Sequence, residues 1–395
     1  MKKILLFAFT MVCGYADAQW TSQASGTTDG LRSISFISKD TGYIASTSGR
    51  ILKTTNGGNM WNQVVGPFLP DGINQIHFIS SSTGFAASYG KILKTTDGGS
   101  NWTNTYTDSN STVVFCLSFP TDSLGFALSQ DLTDDTCFVY RTIDGGNNWS
   151  KIYSVSSVAP STYINFIDSS IGYFYCDLGL MRTIDGGFSW TPISSVGGGD
   201  IDFLSMSVGF QAGGVDAITM TTDSGFNWTP QVTPVTAPIY ALDFIDLDTG
   251  YAVGGNGFSG AIIKTVDGGN NWTISSSSVQ TLNDVQFPAN NVGYACGEGG
   301  SIYKYSPSLG IGDLKDQDLV SVFPNPSNGE FKVASNNLDN LVYTVSVIDL
   351  LGNTIQRMVT SNSTLDVDIS KQAKGFYFVR IECEESALMK KIIIQ

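Results

Sequence analysis

The sequence holds a single histidine, His77, in 395 residues. That scarcity excludes metal sites built from several imidazoles. It also weakens any serine–histidine–aspartate triad, and the nucleophile elbow G-x-S-x-G does not occur. Basic residues are few: 21 Lys and Arg face 35 Asp and Glu, a formal net charge of −14. Nucleic acid is held by a basic footprint, so such a surface repels it. A phosphate-binding G-x-x-x-x-G-K-[ST] loop is missing. The glycine-rich stretches at 197–199 and 254–260 border strand-like runs and read as loops of a β-protein. No long window carries helical periodicity. Past the N-terminus no apolar run is long enough to cross a bilayer.

What is present begins with MKKILLFAFTMVCGYADAQ. Lys2 and Lys3 precede a short apolar core, and Ala16-Asp17-Ala18 offers a small-x-small cleavage site. Residues 1–18 read as a secretory signal peptide cut before Gln19. Val12, before Cys13, is not small, which argues against lipidation. Removing the segment takes away Lys2, Lys3 and Asp17 and leaves 19 basic and 34 acidic residues, net −15. Five cysteines remain: Cys116, Cys137, Cys176, Cys296 and Cys383. They are odd in number, lack C-x-x-C spacing and sit in apolar runs. Buried thiols are the simplest reading, with one disulfide as the alternative in an oxidising compartment.

Tryptophan sets a period. Trp20, Trp61, Trp102, Trp149, Trp190, Trp228 and Trp272 follow one another at gaps of 41, 41, 47, 41, 38 and 44. A repeat near 40 residues points to a propeller or an array. Each repeat opens with a short alternating strand ending in Phe, as in LRSISF (31–36) and NQIHF (74–78). A glycine–aromatic pair then starts a second strand, as in Gly42-Tyr43 and Gly84-Phe85. A third strand runs into KTTDGGSNW (94–102) or a variant of it, and the tryptophan opens a fourth. Four short strands per repeat make a propeller blade. First strands count seven and closing motifs six. Trp20 lies in register with no repeat of its own, so residues 19–28 are expected to supply the last strand of blade seven and close the ring. The fold class is all-β: a seven-bladed propeller closed by its N-terminal strand, over 19–306.

The closing motif resembles the Asp-box, or BNR repeat. Its acidic position is Asn56, Asp97, Asp144, Asp185, Asp223 and Asp267, and its aromatic position is the tryptophan series. A carboxylate there can accept backbone N–H bonds within its own turn, the glycines supply positive φ, and the indole buries under the hairpin. The resemblance implies structural boxes on the outer rim. Blades reading strand, Gly-Tyr or Gly-Phe, then T-x-D-G-G-x-x-W resemble the photosystem II assembly-factor-like propellers.

Beyond a polar linker at 307–319 the pattern changes. VSVFPNPSNGEF (320–331), VSVIDLLGNTI (345–355), KGFYFVRIE (374–382) and KKIIIQ (390–395) describe a small Ig-like β-sandwich. They resemble the C-terminal sorting domain of the type IX secretion system of Bacteroidota, at Pro324, Asn325, Pro326, Gly329, Gly352, Gly375, Tyr377, Lys390 and Lys391. The resemblance implies handling by that machinery through residues 320–395, and a protein secreted or attached to the outer cell surface.

Three functions stay open. The leading one is a secreted or surface propeller that binds a protein or glycan; the others are a polysaccharide-active glycosidase and a structural or adhesive module. A sialidase-like site needs an arginine cluster. Arg141 and Arg182 occupy the repeat position of Lys53, Lys94 and Lys264, which leaves Arg32 and Arg50. A glycosidase needs only two placed carboxylates. No cofactor signature is present. The candidate ligand-binding residues are Asp200, Asp202, Asp243, Asp284 and His77, in first strands whose alternate side chains share a direction. They read as a water-filled polar throat, or as a seat for a cation or for sugar hydroxyls.

Overall fold

The computed structural model describes residues 19–64, 72–108, 111–158, 163–194, 199–213, 218–257, 259–306, 320–335, 343–349, 353–383 and 386–395. The signal-peptide and linker readings at 1–18 and 307–319 lie outside them, as does Gly352. Two compact units are present, Ala18–Ser308 and one containing Leu309–Gln395. Among the described residues the sole helical element is a single 3-10 turn, Glu298–Gly300. The fold is all-β and propeller-like.

Among its described residues the larger unit contains seven four-stranded antiparallel sheets. Their first strands are Leu31–Phe36, Ile73–Phe78, Thr112–Ser118, Ile164–Phe166, Ile201–Phe203, Ile239–Phe244 and Leu282–Ala289. Sheets one to six run consecutively along the chain. Sheet seven takes its fourth strand, Gln19–Gln23, from the other end of the unit, with Trp20 opposite Tyr305. Each first strand touches the first strand of the next sheet, and the first strand of sheet seven touches that of sheet one.

The apolar core is divided among the seams between sheets. Seven separate clusters fill the seven seams. Each seam is keyed by one ring pair. The closing Phe of a first strand lies flat on the aromatic of the preceding sheet's glycine–aromatic pair, as Phe78 does on Tyr43 at 3.6 Å between centroids and Phe166 on Phe126 at 3.4 Å. Phe36 lies on Tyr294 in the same way at 3.9 Å, which joins sheet one to sheet seven. The glycine of each pair makes room for its own sheet's Phe. A Cβ on Gly42 would sit 2.4 Å from the Phe36 ring. Tryptophan then meets that Phe edge-on, as Trp61 meets Phe36 at 5.9 Å and 89°. Trp61, Trp190 and Trp272 are buried, while Trp102, Trp149 and Trp228 are partly covered.

In the smaller unit a three-stranded sheet (Val320–Phe323, Glu330–Ser335, Thr364–Asp368) and a four-stranded sheet (Thr354–Thr360, Tyr343–Ile348, Gly375–Cys383, Ser386–Ile394) share one core. Alternating residues of both sheets fill it, among them Val333, Val345, Val379 and Ile392, all fully buried.

Candidate functional site

The box motif forms a tight hairpin turn. Thr95 accepts the Gly99 N–H at 2.9 Å and donates to Asp97 at 2.9 Å; Asp97 in turn accepts the Asn101 N–H at 2.8 Å and its side-chain amide at 2.7 Å. Asp144, Asp185, Asp223 and Asp267 repeat this pattern, with Ser189 in place of the asparagine beside Asp185. These bonds hold the Asp97 and Asp185 carboxyls down to about 2. Asn56 accepts the Met60 N–H at 3.0 Å through Oδ1. The two residues after the acid adopt positive φ in every box; in the fifth box the first of them is Ser224, at 66°.

The basic residue that opens a box reaches into the next sheet in the first four boxes, whereas Met220 opens the fifth and Lys264, which opens the sixth, lies over Tyr251 of its own sheet. Lys53 donates to Gly98 O at 2.8 Å and Lys94 to Asn147 Oδ1 at 2.8 Å. Lys304, on sheet seven, donates to Gly57 O at 2.7 Å. Arg141 and Arg182 instead lie over Phe188 and Phe226, each at 5.3 Å from the ring centroid. Arginine occurs where the following box carries a Phe, a planar guanidinium on a flat ring. Arg50 pairs with Asp29 at 3.3 Å, and Arg32 donates to Asn74.

The polar residues of the first strands form an inner ring of links between sheets. A first strand is an edge, and its outward N–H groups need acceptors. The preceding sheet supplies them. Ser33 and Ser35 accept Ile76 N and Phe78 N; Gln75 accepts Leu117 N; Ser118 accepts Phe166 N. Asp200 accepts Leu242 N at 2.9 Å, Asp243 accepts Phe287 N at 2.5 Å, and Asp202 takes Phe244 N. Asp284 and Gln286 accept Ile34 N and Phe36 N at 2.8 and 2.6 Å, across the seam between sheets seven and one. The seam between sheets four and five differs: Asn165 donates to Ile201 O at 3.0 Å, and the Tyr163 hydroxyl bonds the Asp200 carboxylate.

Asp200, Asp202, Asp243 and Asp284 are therefore brought together along three adjacent seams, each engaged by backbone. Burial pushes Asp202 and Asp284 up to about 7, and the neighbouring Asp200 charge adds to both. Asp243 is raised well above the usual range by burial and by Asp202, and Asp200 is raised by burial. Protein encloses these groups, yet each keeps some contact with water, which tempers the shifts. His77 stands apart, between sheets two and three. It stacks on Phe119 at 5.7 Å, and burial lowers its pKa to about 4, so it is neutral near pH 7. Among the described residues no group of three or more His, Cys, Asp or Glu is arranged to hold a metal. Cys116, Cys137, Cys176 and Cys296 are buried thiols.

In the smaller unit the Asn325 side chain grips the last strand. Its amide donates to Lys391 O at 2.7 Å and its Oδ1 accepts Ile393 N at 2.9 Å. Pro324 and Pro326 flank it. Ser327 continues the contact, donating to Ile393 O and accepting from Gln395 N, both at 2.9 Å. Gly329, at φ 104°, packs against the Ser370 backbone, where a Cβ would come within 2.4 Å. Tyr377 is buried and donates to Ala373 O at 2.7 Å; Gly375 and Lys390 lie on the paired final strands.

Residues 321–395 match the secretion system C-terminal sorting domain. That address implies export by the type IX machinery to the cell surface or beyond. Residues 13–163 match the family of the photosynthesis system II assembly factor YCF48. Among solved structures, the chain is similar to YCF48 bound to D1 peptide (18% identity, TM-score 0.60, covering 73% of this chain and 97% of that one) and to YCF48 from Cyanidioschyzon merolae (18%, 0.59, 73% and 99%). It is also similar to the WD40 β-propeller domain of Doa1, at 11% identity and TM-score 0.58, over 74% of this chain and 98% of that one. At such identities the likeness is one of fold. No curated protein matches the sequence. No helix of the described residues is long and apolar enough to cross a membrane.

Proposed function

We propose that the protein is a secreted or surface-held binding scaffold. Residues 1–18 start its export, residues 19–306 form a seven-bladed ring closed by the N-terminal strand, and residues 307–319 link it to an Ig-like sorting domain at 320–395. The observation that carries the reading is the union of a type IX address with a propeller-like unit whose acidic boxes are engaged within their own turns. Arg141 and Arg182 are engaged as well, which supports a binding role over a sialidase-like one.

The partner is a surface protein or glycan, met at the inner ring where Asp200, Asp202, Asp243 and Asp284 gather. A propeller with a bound peptide among the similar structures favours a protein segment. A polysaccharide-active enzyme is the alternative, because paired carboxylates suffice for glycoside hydrolysis. The test uses the purified mature chain in three assays: a peptide library, a glycan array and a glycosidase panel. Saturable binding that weakens in an Asp202→Asn/Asp243→Asn variant supports the scaffold; sugar release abolished by the same variant replaces it with the enzyme.

A further inference from the structure

In sheet five, two cross-strand partners break the repeat. Gln211 pairs with Thr219, and Ile201 completes the row. Residues paired across a sheet point to the same face. Ile201 packs with Tyr173 and Leu180 of sheet four, so the row faces the seam between sheets four and five. The same pair is apolar in four other sheets, as Ile44 with Leu52 in sheet one and Ala86 with Leu93 in sheet two, and an alanine with a tyrosine in sheets three and seven. Gln211 and Thr219 are almost wholly buried, at 1% and 2% exposure. Among the described residues, Gln211 Nε2, Gln211 Oε1 and Thr219 Oγ1 have no hydrogen-bond partner. Native proteins satisfy nearly all such atoms.

This seam is also the thinnest. Among the described residues its core cluster holds three buried residues, with six partly buried ones packed against it, against seven or more buried residues in each other cluster of the larger unit. Its two first strands, Ile164–Phe166 and Ile201–Phe203, are three residues long. We infer that Gln211 and Thr219 hold a buried water between sheets four and five, and that this wet seam is the joint at which the ring loosens first. The three unpaired atoms offer a donor, an acceptor and a hydroxyl that can be either. A buried water makes about three hydrogen bonds and satisfies such a set.

A high-resolution crystal structure of the mature full chain, with amide exchange on the same protein, tests the inference. The expected result is a solvent peak at about 3 Å from Gln211 and Thr219. Amides at Ile164–Phe166 and Ile201–Phe203 should exchange about tenfold faster than those of the other first strands. In Gln211→Ile/Thr219→Leu, which restores the pair of sheet one, the peak should vanish and that exchange should slow. If the double variant does not fold, Thr219→Val removes one of the three bonding atoms at nearly constant shape and should weaken the peak. An empty or protein-filled space there, or uniform exchange around the ring, overturns the inference.

Discussion

Trp20 meets Phe287 edge-on, with ring centroids 5.8 Å apart and planes at 88°. Trp61 meets Phe36 and Trp190 meets Phe166 in nearly the same way, each within one sheet. Trp20 makes the contact from the opposite end of the unit, and its Nε1 donates to Ser275 of sheet six at 3.2 Å. The N-terminal strand thus carries a full share of seam packing. Trp20→Ala should destabilise the larger unit by about 3–5 kcal/mol. Deleting residues 19–28 should lower the melting temperature further and expose a sheet edge. An unchanged melting temperature after the deletion would show that the ring does not depend on this strand.

A second prediction concerns the glycine before each seam aromatic. A Cβ on Gly84 would come within 2.6 Å of the Phe78 ring, which is itself stacked on Tyr43. The ring has nowhere to retreat. Gly84→Ala should cost about 1–3 kcal/mol through overpacking. Urea titration of the variant checks this; a loss well below that range would mean the ring can shift.

These two contacts mark the limits of what could be read from the residues. The tryptophan period, the closing Phe and the glycine–aromatic pair are local and recur, so an all-β, propeller-like fold of short strands is legible in them. The partner of each Phe is not, because Phe78 stacks on a ring from the preceding sheet. The inner ring was half legible. The residue before each closing Phe is polar, as in Ser35 and His77, and that pattern marks a position set apart from the core. Ser35, Asp243 and Gln286 also bond backbone N–H groups across seams, a demand that arises only once edges are brought together. Gln211 and Thr219 lie in no motif and stand out only when the repeats are aligned strand by strand.

Proton linkage gives a third prediction. The Asp202 and Asp284 carboxyls stand at about 7 in the fold and at 3.8 otherwise, and burial raises Asp243 well above 3.8 as well. A raised value means the fold binds the proton more tightly. The stability from these groups is full below about pH 4 and is lost as the pH rises through about 7. His77, lowered from 6.5 to about 4, acts in the opposite sense as the pH falls, so the comparison must be made between proteins. In Asp243→Asn the amide oxygen can still accept Phe287 N. The variant should melt higher than wild type at pH 8 and nearly level with it at pH 4. Equal melting temperatures at both pH values would mean that the ring carboxylates do not oppose one another.

A fourth prediction lies in the fifth box. Ser224 is held at φ 66°, where Gly57, Gly98, Gly145, Gly186 and Gly268 occupy the other boxes at 66–75°. A side chain in the left-handed region costs about 1–2 kcal/mol. Glycine gives back part of that through its looser unfolded chain. Ser224→Gly should therefore stabilise by about 0.5–1 kcal/mol. The backbone bonds of the turn, from Ser224 N to Ser207 O and from Tyr173 to Ser224 O, do not need the serine side chain. A lowered melting temperature would show that the hydroxyl matters.

The last prediction separates address from activity. Asn325 ties the segment before it to the final strand through Lys391 O and Ile393 N, so the two stretches that resemble a sorting signal form one surface. The cores of the two units contain no residue in common. Removing residues 320–395 in the native host should leave the remaining chain folded and trapped in the periplasm. Asn325→Ala removes both bonds and leaves two backbone groups to water. It should reduce the fraction reaching the surface without changing partner binding by the purified protein. Fractionation with immunoblotting, beside a binding assay on purified protein, reads both effects. Surface display of the truncated chain would place the address elsewhere, and loss of partner binding in Asn325→Ala would place part of the activity in the smaller unit.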